Sequence, residues 1–275
     1  MCATCGCSDE AGVRIDGLAQ PRAHEHGGDH EHEHPHGHGH DHGHGHGSRT
    51  VLLEQDVLAK NDLFARRNRS WLHEQDVLAV NLMSAPGAGK TTLLERTVRT
   101  LAAESPVCVV EGDQETRLDA DRIRSAGAPV VQVNTGAGCH LDAAMLRRAL
   151  DTLDPPAGAV LFVENVGNLV CPALFDLGEH YRVVLLSVTE GQDKPLKYPH
   201  MFTGADLVVV NKIDLLPHVD FRFEAFEHDV RSINPRVEIL SLSATRGTGL
   251  PAWFQWLRGH RAPSRHLTAE VEGTP

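Results

Sequence analysis

Nine consecutive residues, Ser84-Ala85-Pro86-Gly87-Ala88-Gly89-Lys90-Thr91-Thr92, have the make-up of a loop that wraps phosphate groups. Glycines let the backbone N–H groups of Gly87, Ala88 and Gly89 turn inward, and the N-terminus of a following helix adds positive potential. In such a loop Lys90 reaches the β- and γ-phosphates, Thr91 ligates Mg²⁺, and Thr92 lies in the same cradle. Ser84 stands where the GxxxxGK[ST] pattern has its first glycine. The apolar run before the loop and the helix-prone stretch from Leu93 after it carry the assignment.

A second constellation, Asn211-Lys212-Ile213-Asp214, follows another apolar run, 207–210. Asp214 can accept hydrogen bonds from guanine N1–H and N2–H₂, donors that adenine does not present there. Asn211 would brace the loop and the purine, and the Lys212 stem would cover the ring face. Ser243-Ala244-Thr245 comes after the next strand, where a backbone N–H can address guanine O6. GTP is therefore expected rather than ATP. Glu164 heads Glu164-Asn165-Val166-Gly167, a place for holding Mg²⁺ directly or through water and for Gly167 to meet the γ-phosphate. Asp113 offers a further carboxylate for Mg²⁺ or the attacking water, with a helix cap as its plain alternative. Lys90, Asp113 and Glu164 are the expected catalytic groups. No arginine finger or catalytic glutamine is identifiable, so slow hydrolysis is expected unless a partner or dimer completes the site.

Metal chemistry is written in a different part of the chain. Cys2-Ala3-Thr4-Cys5-Gly6-Cys7 gathers three thiols and the α-amino group, donors that suit Ni²⁺, Zn²⁺ or copper. The chain has 19 histidines, and His24, His26, His30, His32, His34, His36, His38, His40, His42, His44 and His46 form one run suited to holding several ions as a store. Cys139, His140 and Cys171 supply three further ligands from two loops near the nucleotide, an incomplete tetrahedral set for Ni²⁺ or Zn²⁺. Water or a second subunit would complete it, a reason to expect a homodimer. Cys108, inside an apolar run, reads as a plain buried thiol. Because Cys171 lies a few residues beyond Glu164, loss of the γ-phosphate could alter ligand spacing and so metal affinity.

These residues need a frame. Apolar runs at 80–83, 107–110, 130–133, 160–163, 183–188, 207–210 and 237–240 alternate with helical patterns, as strands buried on both faces of a mainly parallel sheet do. The fold class is α/β, a doubly wound phosphate-loop NTPase with ligands beyond the strands' carboxyl ends. A leading amphipathic helix is expected over about 50–75. Residues 1–48 have almost no large apolar side chains and read as a disordered Cys/His-rich metal-binding tail, 49–262 as the nucleotide-binding domain, and 263–275 as a flexible C-terminal tail. EQDVLA occurs at 54–59 and again at 74–79, without a repeat period around it. With 26 basic and 37 acidic residues in 275, the net charge of −11 disfavours nucleic acid. No apolar stretch suits a membrane span or signal peptide, so a soluble, cytoplasmic protein is expected.

The N-terminal CxxCGC, SAPGAGKTTLLE, EGDQET, NTGAGCHLDA, FVENVGNLVCPALFDLGE, SVTEGQDKPLKYPHMF and NKIDLLP together resemble the hydrogenase nickel-incorporation GTPases, the HypB family. The resemblance covers roughly 50–260 and the extreme N-terminus. It implies a dimerising GTPase of the SIMIBI class that delivers nickel to the [NiFe]-hydrogenase large-subunit precursor, with a HypA-type nickel accessory protein as partner. It further implies that Cys2, Cys5 and Cys7 form a high-affinity nickel motif and that Cys139, His140 and Cys171 form a nickel or zinc site. Lys90, Thr91, Asp113, Glu164 and Asp214 match the family's nucleotide site. A urease-accessory GTPase would carry Cys-Pro-His, whereas here Cys139-His140 is contiguous and Cys171-Pro172 lies elsewhere. A pure storage protein leaves the guanine set unexplained, and a nucleotide kinase needs neither NKxD nor CxxCGC.

Overall fold

All seven apolar runs become strands; the first six are largely buried inside a covered sheet, while the run at 237–240 forms a partly exposed edge strand. The computed structural model describes residues 14–15 and 46–261, apart from 115 and 137, with side chains from residue 56 onward. Cys2, Cys5, Cys7, the histidine side chains of the tail and residues 263–275 lie outside the described residues.

The elements in chain order are β1 (Arg14–Ile15), α1 (His46–Glu74), β2 (Leu78–Ser84), α2 (Lys90–Leu101), β3 (Val107–Asp113), α3 (Leu118–Ala126), β4 (Val130–Asn134), α4 (Ala143–Leu153), β5 (Val160–Glu164), α5 (Cys171–Leu174), β6 (Tyr181–Ser187), α6 (Lys194–Lys197), α7 (Pro199–Thr203), β7 (Leu207–Asn211), α8 (Phe223–Ile233), β8 (Glu238–Ser241) and α9 (Leu250–Gly259). The strand order is β1-β4-β3-β5-β2-β6-β7-β8. β2 to β8 pair in parallel, and β1 joins antiparallel with Arg14 opposite Asn134 and Ile15 opposite Val133.

Alternation along the strands divides the core. Val80 and Leu82 of β2 face one way, among Leu94 and Val98 of α2, Ile123 of α3 and Trp253 of α9. On the other face, Ala79 joins Leu72 of α1 and Leu146 and Leu150 of α4, while Met83 joins Phe202 of α7 and Phe226 of α8. Because β2 to β8 run parallel between these helices, their carboxyl ends, and the loops after them, lie on one rim of the sheet.

Two boundaries differ from the expectation. α1 starts at His46, a few residues ahead of the expected start near 50, because a nucleated helix gains one hydrogen bond per added residue. Arg14–Ile15 also pairs, using the edge that β4 would otherwise leave open. Among the described residues no helix is long and apolar enough to cross a membrane.

Candidate functional site

The loop after β2 has the backbone a phosphate cradle requires. Gly87 and Gly89 adopt φ of +76° and +102°, and a Cβ at Gly89 would stand 2.6 Å from Asn211 Nδ2. Lys90 opens α2 with its Nζ donating to Ser84 Oγ at 2.8 Å. That contact gives the Ser84 departure from the glycine pattern a physical account: its hydroxyl holds the lysine head at the loop's base. Gly167 lies against this loop, where a Cβ would meet Pro86 Cα at 3.0 Å.

Behind the loop lies a buried acidic pair. Thr91 Oγ1 donates to Glu164 Oε1 at 2.8 Å, so the two expected Mg²⁺ ligands converge. Glu164 sits opposite Glu111 in the β3–β5 register, and each has an Oε2 that is buried without a hydrogen-bond partner. Orphaned carboxylate oxygens beside a buried ammonium fit a divalent ion well. Burial pushes Glu164 up to about 7, against the Lys90 charge that lowers it. Burial pushes Glu111 up to about 9, helped by the Glu164 charge. Lys90 is itself lowered by burial, with Glu164 the largest opposing influence. Asp113 is turned onto its own loop, its carboxylate accepting from Gln114 N at 2.7 Å and from Thr116 N and Oγ1 at 2.9 and 2.7 Å.

A stability prediction follows from Glu111. Between its ordinary value of 4.5 and about 9 the folded protein keeps a proton that the unfolded chain has lost, so folding stability falls as pH rises through that window. Glu111→Gln removes the penalty. The nucleotide-free variant is expected to be more stable than the parent at pH 8, on the order of 3 kcal/mol, and nearly equal at pH 5. Denaturant melts at both pH values check this, and a variant less stable at pH 8 would refute it.

At the guanine end, Asn211 spans two loops, donating to Ala88 O at 2.9 Å and accepting from Ala244 N at 3.0 Å. Asn211 thus ties the phosphate loop to the loop after β8. The Ala244 N–H offered for guanine O6 is committed to Asn211 instead, while Ser243 Oγ accepts from Arg246 N at 3.1 Å. Lys212 has φ +61° and its Nζ donates to Gly87 O at 2.7 Å, laying its stem over the mouth of the site. Asp214 Oδ1 is buried without a partner, an acceptor in need of a donor such as guanine N1–H.

The predicted metal ligands are brought together. Cys139 Sγ lies 2.7 Å from Cys171 Sγ and 3.6 Å from His140 Nδ1, and one ligand atom from each residue falls within 4.8 Å of the others. His140 is buried and stacks on Phe175, with ring centroids 3.9 Å apart. Burial lowers its pKa, which favours the neutral imidazole that metals bind. Cys108 is buried in β3, and desolvation raises its thiol, in line with a purely structural role.

The family model described as CobW/HypB/UreG, nucleotide-binding domain, matches residues 78–241. Hydrogenase maturation factor HypB of Azotobacter vinelandii is 48% identical over 282 residues, covering 95% of this chain and 93% of that protein. The chain belongs to the HypB family. HypB of Escherichia coli K12 is 52% identical over 213 residues, covering 78% of this chain and 73% of that protein. Among solved structures, HypB from Archaeoglobus fulgidus matches with a TM-score of 0.69 and 42% identity, over 74% of this chain and 98% of that one. HypB from Helicobacter pylori, solved in complex with nickel, gives 0.68 and 37% over the same shares, 74% and 98%.

Three groups in this HypB-family site escaped the sequence reading. Glu111 is one, and a charged residue directly after the apolar run 107–110 is the available signal. The others are Asp119 and Arg122 of α3. Arg122 donates to Thr92 Oγ1 at 3.1 Å, Glu95 at 2.8 Å and Asp119 at 3.1 Å, so α3 is tied to the first turn of α2. Asp119 contributes to the acidic field on Lys90, Glu111 and Glu164. A cavity of about 210 Å³ between Leu72, His180, Tyr181 and His260 opens at the other end of the strands and contains no predicted site residue.

Proposed function

We propose that this HypB-family protein is a GTP-hydrolysing nickel metallochaperone that helps insert nickel into the [NiFe]-hydrogenase large-subunit precursor. GTP hydrolysis is coupled to metal transfer or to dimerisation. The observation that carries the reading is a short link between the two sites. Asn165, next to Glu164, accepts from Leu141 N at 3.1 Å through its side-chain oxygen, and Leu141 follows His140 directly. A shift of the Glu164 segment with the γ-phosphate would therefore reach the Cys139–His140 ligands through one hydrogen bond, and Cys171 through the chain.

In this reading Lys90, with the Gly87–Thr92 cradle, holds the phosphates, and Thr91 and Glu164 hold Mg²⁺, with Asp113 released from its loop contacts to reach the ion or the attacking water. Asn211, Lys212 and Asp214 form the guanine pocket, with Ser243 and Ala244 shaping the loop that closes it. Nickel or zinc is held by Cys139, His140 and Cys171, nickel by Cys2, Cys5 and Cys7, and a nickel store by the histidine tract. A homodimer and a HypA-type accessory protein are the proposed partners.

Two experiments test it. In the full chain carrying Cys2→Ser, Cys5→Ser and Cys7→Ser, Ni²⁺ affinity of the remaining thiolate site is measured with GDP and with a non-hydrolysable GTP analogue. A tenfold difference, about 1.4 kcal/mol of coupling, is expected, and equal affinities would remove the coupling. Asp214→Ala should weaken GDP binding roughly 100-fold and erase the preference over ADP, because the guanine donors lose their buried acceptor. Unchanged discrimination in a fluorescent-nucleotide competition would reassign the base pocket.

A further inference from the structure

The metal ligands come from two separate segments, and both are fastened to the same helix. Asn61 of α1 accepts from Ala143 N at 2.9 Å and donates to Asp176 O at 2.7 Å. Asn68 donates to Ala143 O at 2.8 Å and to Leu177 O at 2.9 Å. Ala143 lies three residues beyond His140, and Asp176 and Leu177 follow Cys171 by five and six. Two side chains seven residues apart on one helical face thus each bridge the Cys139–His140 segment to the Cys171 segment.

We propose that Asn61 and Asn68 are positioning residues of the metal centre, setting the separation between its two ligand-bearing segments. The inference rests on reading Cys139, His140 and Cys171 as a metal site. An amide is the group suited to the task, since one planar head offers two donors and an acceptor. Asn61 uses both kinds at once, and Asn68 places its two N–H bonds on carbonyls from different segments. Asn68 Oδ1 is left buried without a partner, a cost that an apolar residue would avoid. Stability alone is therefore a poor reason for asparagine at 68, and bridging is a better one.

The surroundings agree. Gly178 has φ +88°, and a Cβ there would lie 2.8 Å from Asn68 Cβ and 2.9 Å from Arg69 N, so the segment after Cys171 sits directly on α1 only because it carries glycine. Phe175, next to the clamped Asp176, is the ring under His140. Holding Asp176 therefore holds the stacking partner of one ligand and the trailing chain of another. The Arg69–Asp176 ion pair at 2.8 Å joins the same elements, but with its arginine side chain 46% exposed it contributes less.

The test uses the full chain with Cys2→Ser, Cys5→Ser and Cys7→Ser. Ni²⁺ is titrated against a competing chelator, and the thiolate-to-nickel charge-transfer absorbance is read. Asn61→Ala and Asn68→Ala are each expected to weaken half-saturation at least tenfold and shift the band, with GDP affinity within threefold of the parent. Leu72→Ala, a core deletion on the same helix, should lower thermal stability at least as much while leaving nickel affinity within threefold. Arg69→Ala should also stay within threefold. Asparagine variants that bind nickel like the parent would overturn the proposal, as would Leu72→Ala weakening nickel as much as they do. Should Asn68→Ala not fold, Asn61→Ala decides alone. A parent with no charge-transfer band would remove the metal-site reading itself, and the proposal with it.

Discussion

Replacing Lys90 with alanine is expected to lower GTP turnover roughly 100- to 1,000-fold while the protein stays folded. Lys90 is buried at the first turn of α2, and its ammonium feels the charges of Glu164, Asp119, Glu111 and Glu190, Glu164 most strongly. Removing it takes away the charge that would meet the β- and γ-phosphates and leaves the acidic pair behind the loop without its nearest counter-ion. Glu164 and Glu111 would then hold their protons more strongly, and the pair would offer Mg²⁺ less negative charge. Two losses act on one site, so turnover should fall further than nucleotide affinity does. Ser84→Ala is the matched control: it deletes only the hydroxyl that receives Lys90 Nζ, and a decrease of less than about tenfold is expected, in keeping with one neutral partner lost. Phosphate release at saturating Mg²⁺ and GTP measures both. Lys90→Ala turning over at the parent rate would show that the loop does not perform the chemistry assigned to it.

The second large effect is at the metal cluster. Cys139→Ser combined with Cys171→Ser should reduce Ni²⁺ or Zn²⁺ affinity at this site by more than the roughly 10- to 100-fold that loss of a supporting residue causes, because two of three ligands disappear. Ligation by thiolates releases protons, so affinity in the parent should rise with pH, and the double variant should lose most of that slope. His140, already favouring its neutral form through burial, adds little to it near pH 7. Competition with a chelator between pH 6.5 and 8, in a background lacking the three tail thiols and with the eleven histidines of the tail tract replaced by alanine, reads affinity and slope together. A double variant with the parent's affinity would move the metal elsewhere.

Much of this architecture was legible because its determinants are local. The seven strands follow from apolar runs of β-branched residues, and the phosphate loop and NKxD follow from spacing alone. Cys139, His140 and Cys171 come together because both of their segments follow strands that end on the same rim. What stayed hidden depends on orientation in three dimensions. Asp113 reads in the sequence as a carboxylate for Mg²⁺ or the attacking water, or as a helix cap, and it folds back onto Gln114 and Thr116. Glu111 looks like an interruption of a strand, yet it faces Glu164 across the sheet. The i, i+7 asparagines of α1 are recognisable as a polar stripe only once the opposing carbonyls are in place.

EQDVLA gives the clearest limit. In its first copy it lies within α1, with Val57 51% exposed. In the second, Glu74 ends that helix, Asp76 takes φ +53°, and Val77 is 2% exposed as the chain enters β2. Identical residues adopt helix or turn and strand according to what covers them, so tertiary contacts here outweigh intrinsic preference.

The central position of β2 bears on how the chain is made. Its two neighbours, β5 and β6, emerge from the ribosome roughly 80 and 100 residues after it, so the strand carrying the phosphate loop waits unpaired while they are synthesised. A nascent chain ending before about residue 187 lacks a sheet partner on one side of that loop. Nucleotide should therefore be unable to stabilise early intermediates, and the interval before β6 appears is when this protein is most exposed to aggregation and most dependent on chaperones.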